Sequence, residues 1–372
     1  MDDPENTLAA QRRYATRGMP SVEIEMGLAY EFLESLLVYY AHGWHENTCE
    51  YEVSEAWFEH IRTSCPKTLL EGLDGFTLQA HSARGWLHSW SHLLGLAYDS
   101  PPPKDVATFM SYLGSLEPWE IRLYWLGYYQ RNLRKVTPLD VILQAAEGNE
   151  EALEQLFRTA LPESPLAQER IRWLVSSDGE TMKGTLITLL WGWHEQVFRQ
   201  EEARIRPILE RDIAAKRKLQ ATVSAEQLVE LATNGLVYGS EAVVRKVVLV
   251  PSFLSRPWNE TLAHQDVKLM VYPAADESVM PNRSAPLQLV RLYQALADER
   301  RLCILKLLKT RSYSIQELSD AFGVAKSTMH HHLGLLRTAG LVRIRDDEKQ
   351  YGLRQEMLSR VSALLVDFLN DS

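Results

Sequence analysis

Three consecutive histidines, His330, His331 and His332, stand in a stretch that also holds Lys326, Ser327, Thr328 and Arg337 and contains no carboxylate. Imidazoles, hydroxyls and cations free of acids are what phosphates and base edges accept. As metal ligands the three histidines fail on geometry. Neighbours on a helix diverge by about 100°, so consecutive rings do not converge on one ion. Upstream, His88 and His92 are four residues apart with His81 nearby, and His45 and Cys49 share that spacing. Two ligands are not a site, and no third is identified. His194-Glu195-Gln196-Val197-Phe198 opens like a zinc-protease motif but has Phe198 where the second histidine belongs. Packed, structural histidines are the better reading. An enzyme or metal-binding sensor with chemistry near His81, His88 and His92 is the alternative, although no P-loop, nucleophile elbow or dinucleotide glycine motif accompanies it. The expectation is a non-enzymatic protein without cofactor or metal.

The elements that must position the histidine stretch follow from spacing. Ser314-Ile315-Gln316-Glu317-Leu318 reads as a helix start, with Ser314 as cap and Glu317 as its box partner. Gly323 ends that helix in a tight turn that needs positive φ. A second helix runs from about Lys326 to Thr338 and Gly340 closes it. Two short helices joined through a glycine turn form a helix-turn-helix, whose second helix enters the major groove. Met329, Leu333 and Leu336 then face inward, toward Leu305, Ile315 and Leu318. Ser327, His331, Gly334 and Thr338 face outward, flanked by Lys326, Thr328, His330 and Arg337. Next, Leu341-Val342-Arg343-Ile344-Arg345 alternates apolar and basic residues, Asp346 to Lys349 turns the chain, and Gln350 to Arg354 returns. That is a wing, with Arg343, Arg345, Lys349 and Tyr351 available to DNA.

Residues 287–354 resemble the winged helix-turn-helix of the ArsR-type bacterial transcription regulators. The resemblance lies in LYQALADERRLCILKLL (292–308), SIQELSDAFGVAKSTMHHHLGLLRTAGLVRIR (314–345) and QYGLR (350–354). The remainder is similar to the long N-terminal region of some members, with VPSF (250–253) and RPW (256–258) ahead of a linker. The resemblance implies a sequence-specific repressor that binds a two-fold symmetric operator in double-stranded DNA as a homodimer, its recognition helices roughly 34 Å apart. It also implies dimerisation through the first and last helices of the module. These offer Leu289 and Leu292 on the first and Leu358, Val361, Leu365 and Phe368 on the last. Metal-sensing members carry a cysteine pair before the recognition helix, where this chain reads Gln316 to Asp320. Others use the last helix, where Glu356 to Ser372 has neither His nor Cys. A metal sensor of the family type is therefore rejected. Ala325 stands where a capping Ser or Thr is usual.

The 372 residues carry a formal charge of −9, which hides an asymmetry. From residue 287 onward there are 13 Lys and Arg against 10 Asp and Glu, a net of +3; the rest holds 27 against 39, a net of −12. All ten tryptophans lie in the acidic part. Its pattern is helical to Val237, with Ile24, Leu28, Phe32, Leu36 and Tyr39 at helical steps, and Lys216-Arg217-Lys218 reads as a solvated helix end. β-Branched runs after Tyr238 predict two or three strands, and the polar stretch with Pro273, Pro281 and Pro286 predicts a linker.

The expected architecture is mainly α. It comprises an N-terminal arm at 1–20, a helical sensor or assembly domain at 21–237, a small β element at 238–273, a linker at 274–286 and a winged helix-turn-helix at 287–372. Trp86, Trp90, Trp125 and Trp191 are candidates to line a pocket for a small-molecule effector, the alternative being a helical core. Three widely spaced cysteines without a CxxC pair imply a reducing compartment. The first twenty residues hold no apolar signal core, and apolar runs such as Leu186 to Trp193 are too short to span a bilayer. The expected place is the bacterial cytoplasm, at the nucleoid, with no membrane partner.

Overall fold

The computed structural model describes residues 19–42, 51–82, 85–239, 241, 243–279, 287–345 and 349–370, with backbone alone for 79–82, 85–88 and 287. The strands β1 (Ser21–Ile24), β5 (Lys246–Ser252), β7 (Val267–Pro273) and β6 (Glu260–His264) form a four-stranded sheet in that order. The first three run parallel, and β6 returns antiparallel against β7. β5 and β7 are nearly continuous apolar runs because both faces of the sheet are covered. Val248, Val250, Leu269 and Val271 face the helical body. Val247, Leu249, Met270 and Tyr272 face the other way, into a second apolar cluster with Leu228 and Val229 that extends into the C-terminal module.

The body comprises α1 (Leu28–Ala41), α2 (Glu55–Ser64), α3 (Lys67–Phe76), a hairpin of β2 (Gln79–Ser82) and β3 (Gly85–His88), α4 (Ser89–Asp99), α5 (Val106–Ser115) and α6 (Pro118–Trp125). It continues through α7 (Arg131–Arg134), α8 (Leu139–Ala146), α9 (Glu150–Ala160), α10 (Pro165–Ser176) and α11 (Gly179–Trp193). A π-helical turn at His194–Phe198 leads into α12 (Arg199–Gln220), which carries Pro207 in its interior. α13 (Ala225–Ala232), β4 (Leu236–Val237) and α14 (Asp276–Val279) complete it. α1 lies almost wholly inside, buried on nearly all sides although it carries Glu31 and Glu34. Its Glu31 accepts hydrogen bonds from the backbone of Phe253 (3.0 Å) and Leu254 (2.7 Å), and burial still pushes its pKa up to about 7.

The C-terminal module holds α15 (Leu287–Leu296), α16 (Glu299–Leu308), β8 (Tyr313–Ser314), α17 (Ile315–Phe322), α18 (Lys326–Thr338), β9 (Val342–Arg345), β10 (Gln350–Leu353) and α19 (Gln355–Asn370). β9 and β10 form the hairpin of the wing, and β8 pairs with β10. Strand pairing also crosses the expected boundary at 237. β4 lies parallel to β9 with Leu236 opposite Ile344, so the wing sheet takes one strand from outside residues 287–372.

The sheet at 238–273 has the expected strands, but β1 joins it from the segment read as the start of the helical part, and the hairpin β2–β3 interrupts that part. Four residues of alternation are too few to separate a strand from a helix end. The stretch expected as linker opens with the short helix α14, whose Asp276 is engaged. Arg256, 2% exposed, pairs with Glu52 at 2.9 Å and with Asp276, and Arg291 of α15 reaches the same two carboxylates. Residues 280–286 and the arm to residue 18 lie outside the described residues. Lys216, read as solvated, is buried against Asp212 at 3.3 Å.

His92 has a structural role in this core. His88 ends β3 and α4 starts at Ser89, so the two histidines do not share a helix face. The His92 ring is buried with Nδ1 3.1 Å from the carbonyl of Trp125, and burial lowers its pKa to about 4. Between pH 4 and the ordinary value near 6.5 the unfolded chain binds more protons. The contribution of His92 is therefore complete above pH 6.5 and fades as pH falls toward 4. Urea unfolding at pH 7 and pH 5 should show about 2 kcal/mol of stability lost through this group. His92→Gln should lack that increment, and an unchanged pH slope in the variant would refute the assignment.

Candidate nucleic-acid interface

The interface is built on two capped helices. Ser314 Oγ accepts from the Glu317 amide at 3.3 Å, and the Glu317 carboxylate accepts from the Ser314 amide at 2.7 Å, closing the box that starts α17. The Ser314 amide and hydroxyl, then Arg311, hold the Glu317 carboxyl down at about 2. Gly323 ends α17 at φ 62°, the left-handed region that costs a side chain its freedom. α18 begins three residues later at Lys326, with Ala325 as a cap that supplies no side-chain bond.

Packing sets the rotation of α18. Met329, Leu333 and Leu336 are at most 1% exposed and join Leu292, Ile304, Leu305 and Leu318 in one core. His332 is buried beside them, with Nδ1 lacking a partner. What points outward is mainly its first turn and a half, with Leu335 exposed further along. Lys326, Ser327 and His330 are exposed, and Thr328 and His331 are half-buried. Partial burial, then Arg337 and Lys326, lowers the pKa of His330. The three histidines point different ways, as consecutive residues on a helix must.

The second half of the helix is differently placed. Gly334 abuts Trp258 of the body, the Arg337 guanidinium lies 5.4 Å from the centre of the Trp258 ring, and the Thr338 side chain is buried. Asn234 Nδ2 donates to the Thr338 carbonyl at 3.1 Å, while its Oδ1 accepts from buried Arg354 at 3.0 Å. Sequence reasoning passed over Asn234, Glu230 and Arg354. It noticed the RPW element without giving Trp258 a place against the helix.

On the wing, Arg343 and Arg345 alternate outward from Val342 and Ile344, and Arg343 lies 3.8 Å from Glu230 of α13. Lys349 is exposed with φ 51°, and residues 346–348 of the turn lie outside the described residues. Tyr351, read as available to DNA, is 8% exposed and packs in the module core because it pairs with Ile344 on the inward side of the hairpin. It leaves the DNA-facing set.

The helices read as dimer elements divide. Leu289 (6% exposed) and Leu292 (0%) are core, because they lie on the inner stripe of α15, whose outer face shows Val290 and Tyr293. On α19, Leu358 and Phe368 are exposed and Val361 and Leu365 half-buried, with Val366 and Leu369 more exposed still.

The aromatic pocket is corrected. Trp90 and Trp125 are at most 1% exposed and bonded through their indole N–H groups to Thr77 Oγ1 (3.0 Å) and the Phe76 carbonyl (3.0 Å), so they fill the core. Trp191 is exposed on α11, and the side chains of His81, Trp86 and His88 lie outside the described residues, as do His45 and Cys49. Among the described residues no group of three His, Cys, Asp or Glu side chains could hold a metal, and no helix is long and apolar enough to cross a membrane.

Compared with known proteins, residues 298–343 match the family model described as bacterial regulatory protein, arsR family. That span runs from the cap of α16 through α17 and α18 into β9. No curated protein and no solved structure matches the chain. Its C-terminal region therefore carries an arsR-family helix-turn-helix domain, which points to a DNA-binding transcriptional regulator, behind a large helical N-terminal region.

Proposed function

We propose that the protein is a cytoplasmic, homodimeric repressor that reads a two-fold symmetric operator with α18, its body serving for ligand sensing, dimer support or both. The observation that carries this reading is the outward first turn and a half of α18. Lys326, Ser327, Thr328, His330 and His331 present cations, hydroxyls and imidazoles without a carboxylate, which suits phosphates and base edges in the major groove. Arg343, Arg345 and Lys349 extend that surface along the wing. The acidic remainder of the chain repels the DNA backbone, which confines binding to this module. Dimerisation is supported by the apolar face that α19 leaves open at Leu358, Val361, Leu365 and Phe368, next to Val290 and Tyr293 of α15. A stripe of this kind on so small a module suits a symmetric partner helix.

Lys326→Ala should weaken binding to an operator selected from a random duplex library. It should also reduce the slope of log affinity against log salt by about one unit. An unaltered slope would remove Lys326 from the phosphate contacts. Leu365→Ser combined with Phe368→Ser should convert dimer to monomer in analytical ultracentrifugation. A dimer that persists would assign assembly to another surface.

A further inference from the structure

The outward surface of α18 already has an occupant. Trp258, between β5 and β6, lies half-buried against it. A Cβ built on Gly334 would stand 3.2 Å from the Trp258 ring, a tight contact that the indole would have to relieve by shifting a few tenths of an ångström. Arg337 covers that ring, its guanidinium 5.4 Å from the centre. Asn259 Nδ2 donates to the Thr233 carbonyl at 2.8 Å and ties the tryptophan segment to the α13–β4 turn, from which Asn234 holds Thr338. Positions 334, 337 and 338 are thus engaged by the body, while 326, 327 and 330 are exposed.

Both arrangements cannot hold at once. A major groove about 12 Å wide admits a helix that is itself about 10–12 Å across with its side chains. An indole laid on the flank adds about 3.5 Å, the contact distance of one aromatic layer. With Trp258 in place, only the N-terminal part of α18 can enter. The contact also carries an unmet need. Trp258 Nε1 and Asn259 Oδ1 are buried without a hydrogen-bond partner, a cost that water relieves once the segment swings out. Gly334 in mid-helix is a further concession to close approach, since glycine weakens a helix interior.

We infer that Trp258 is a latch that competes with operator DNA for the outer surface of α18, so that full insertion requires Trp258 and Asn259 to leave it while Leu254 and Arg256 stay anchored. The inference rests on α18 being the DNA-reading helix. The latch lowers the apparent affinity by the fraction of molecules it holds closed.

The test compares the full-length chain, Trp258→Ala and Lys326→Ala on one selected operator duplex. Trp258→Ala should bind about tenfold more tightly, and Lys326→Ala more weakly. Unchanged or weaker binding by Trp258→Ala, with Lys326→Ala still weakened, overturns the latch and leaves the DNA reading intact. If neither substitution alters binding, α18 is not the reading helix and both fall. Hydrogen exchange of the unsubstituted chain covers the case in which Trp258→Ala does not fold. The Trp258 amide, which donates to the Ser255 carbonyl at 2.8 Å, should exchange faster when operator saturates the protein, and slower or equal exchange overturns the latch.

Discussion

The buried stripe of Met329, Leu333 and Leu336 is the constraint on which the interface depends. Each of these side chains is at most 1% exposed, and full burial of such a residue stabilises by about 1.5–3 kcal/mol. Successive helix positions differ by about 100°. Turning α18 by one residue would therefore drive His330 and Gly334 into the core and expose the apolar stripe. The caps around Ser314 and Gly323 fix where the helices begin and end, but they leave the rotation free. The core supplies it, and the outward set at Lys326, Ser327 and His330 is what remains.

A second constraint is the shared layer between body and module. β4 pairs with β9, and the same apolar cluster contains Val247 and Met270 of the large sheet, Leu228 and Val229 of α13, and Leu333 and Leu336 of α18. The β9 edge that a free wing would leave open is covered, which removes a site for unwanted strand pairing. Buried Arg256 and half-buried Arg291 share Glu52 and Asp276 across the same junction. Removing one carboxylate would leave a guanidinium short of its partner in a place water barely reaches.

Much of the module was legible in the sequence, because its signals are local. The capping box, the left-handed glycine and the three-and-four spacing of Met329, Leu333 and Leu336 act over a few residues each. Tyr351 was misplaced because hairpin register decides its side, and register depends on a turn and a pairing partner far along the chain. Leu289 and Leu292 were misassigned for a related reason. An apolar stripe announces burial without saying whether its own core or a second copy does the burying. Trp90 and Trp125 illustrate the same limit, since an aromatic packed with its N–H satisfied has the sequence pattern of one that lines a pocket. β1 and β4 are too short to announce themselves, and their pairing with β5 and β9 spans more than a hundred residues.

The account is tested most directly by asking where α18 lies on DNA. A cysteine introduced as Ser327→Cys, in a chain whose native cysteines are replaced by serine, can carry an iron chelate that cuts nearby nucleotides. The account predicts two cleavage clusters in the major groove, centred about 10 base pairs apart and related by the operator's two-fold axis. Cleavage no stronger than from the same chelate placed by Asp320→Cys on α17, or confined to a single cluster, would contradict it.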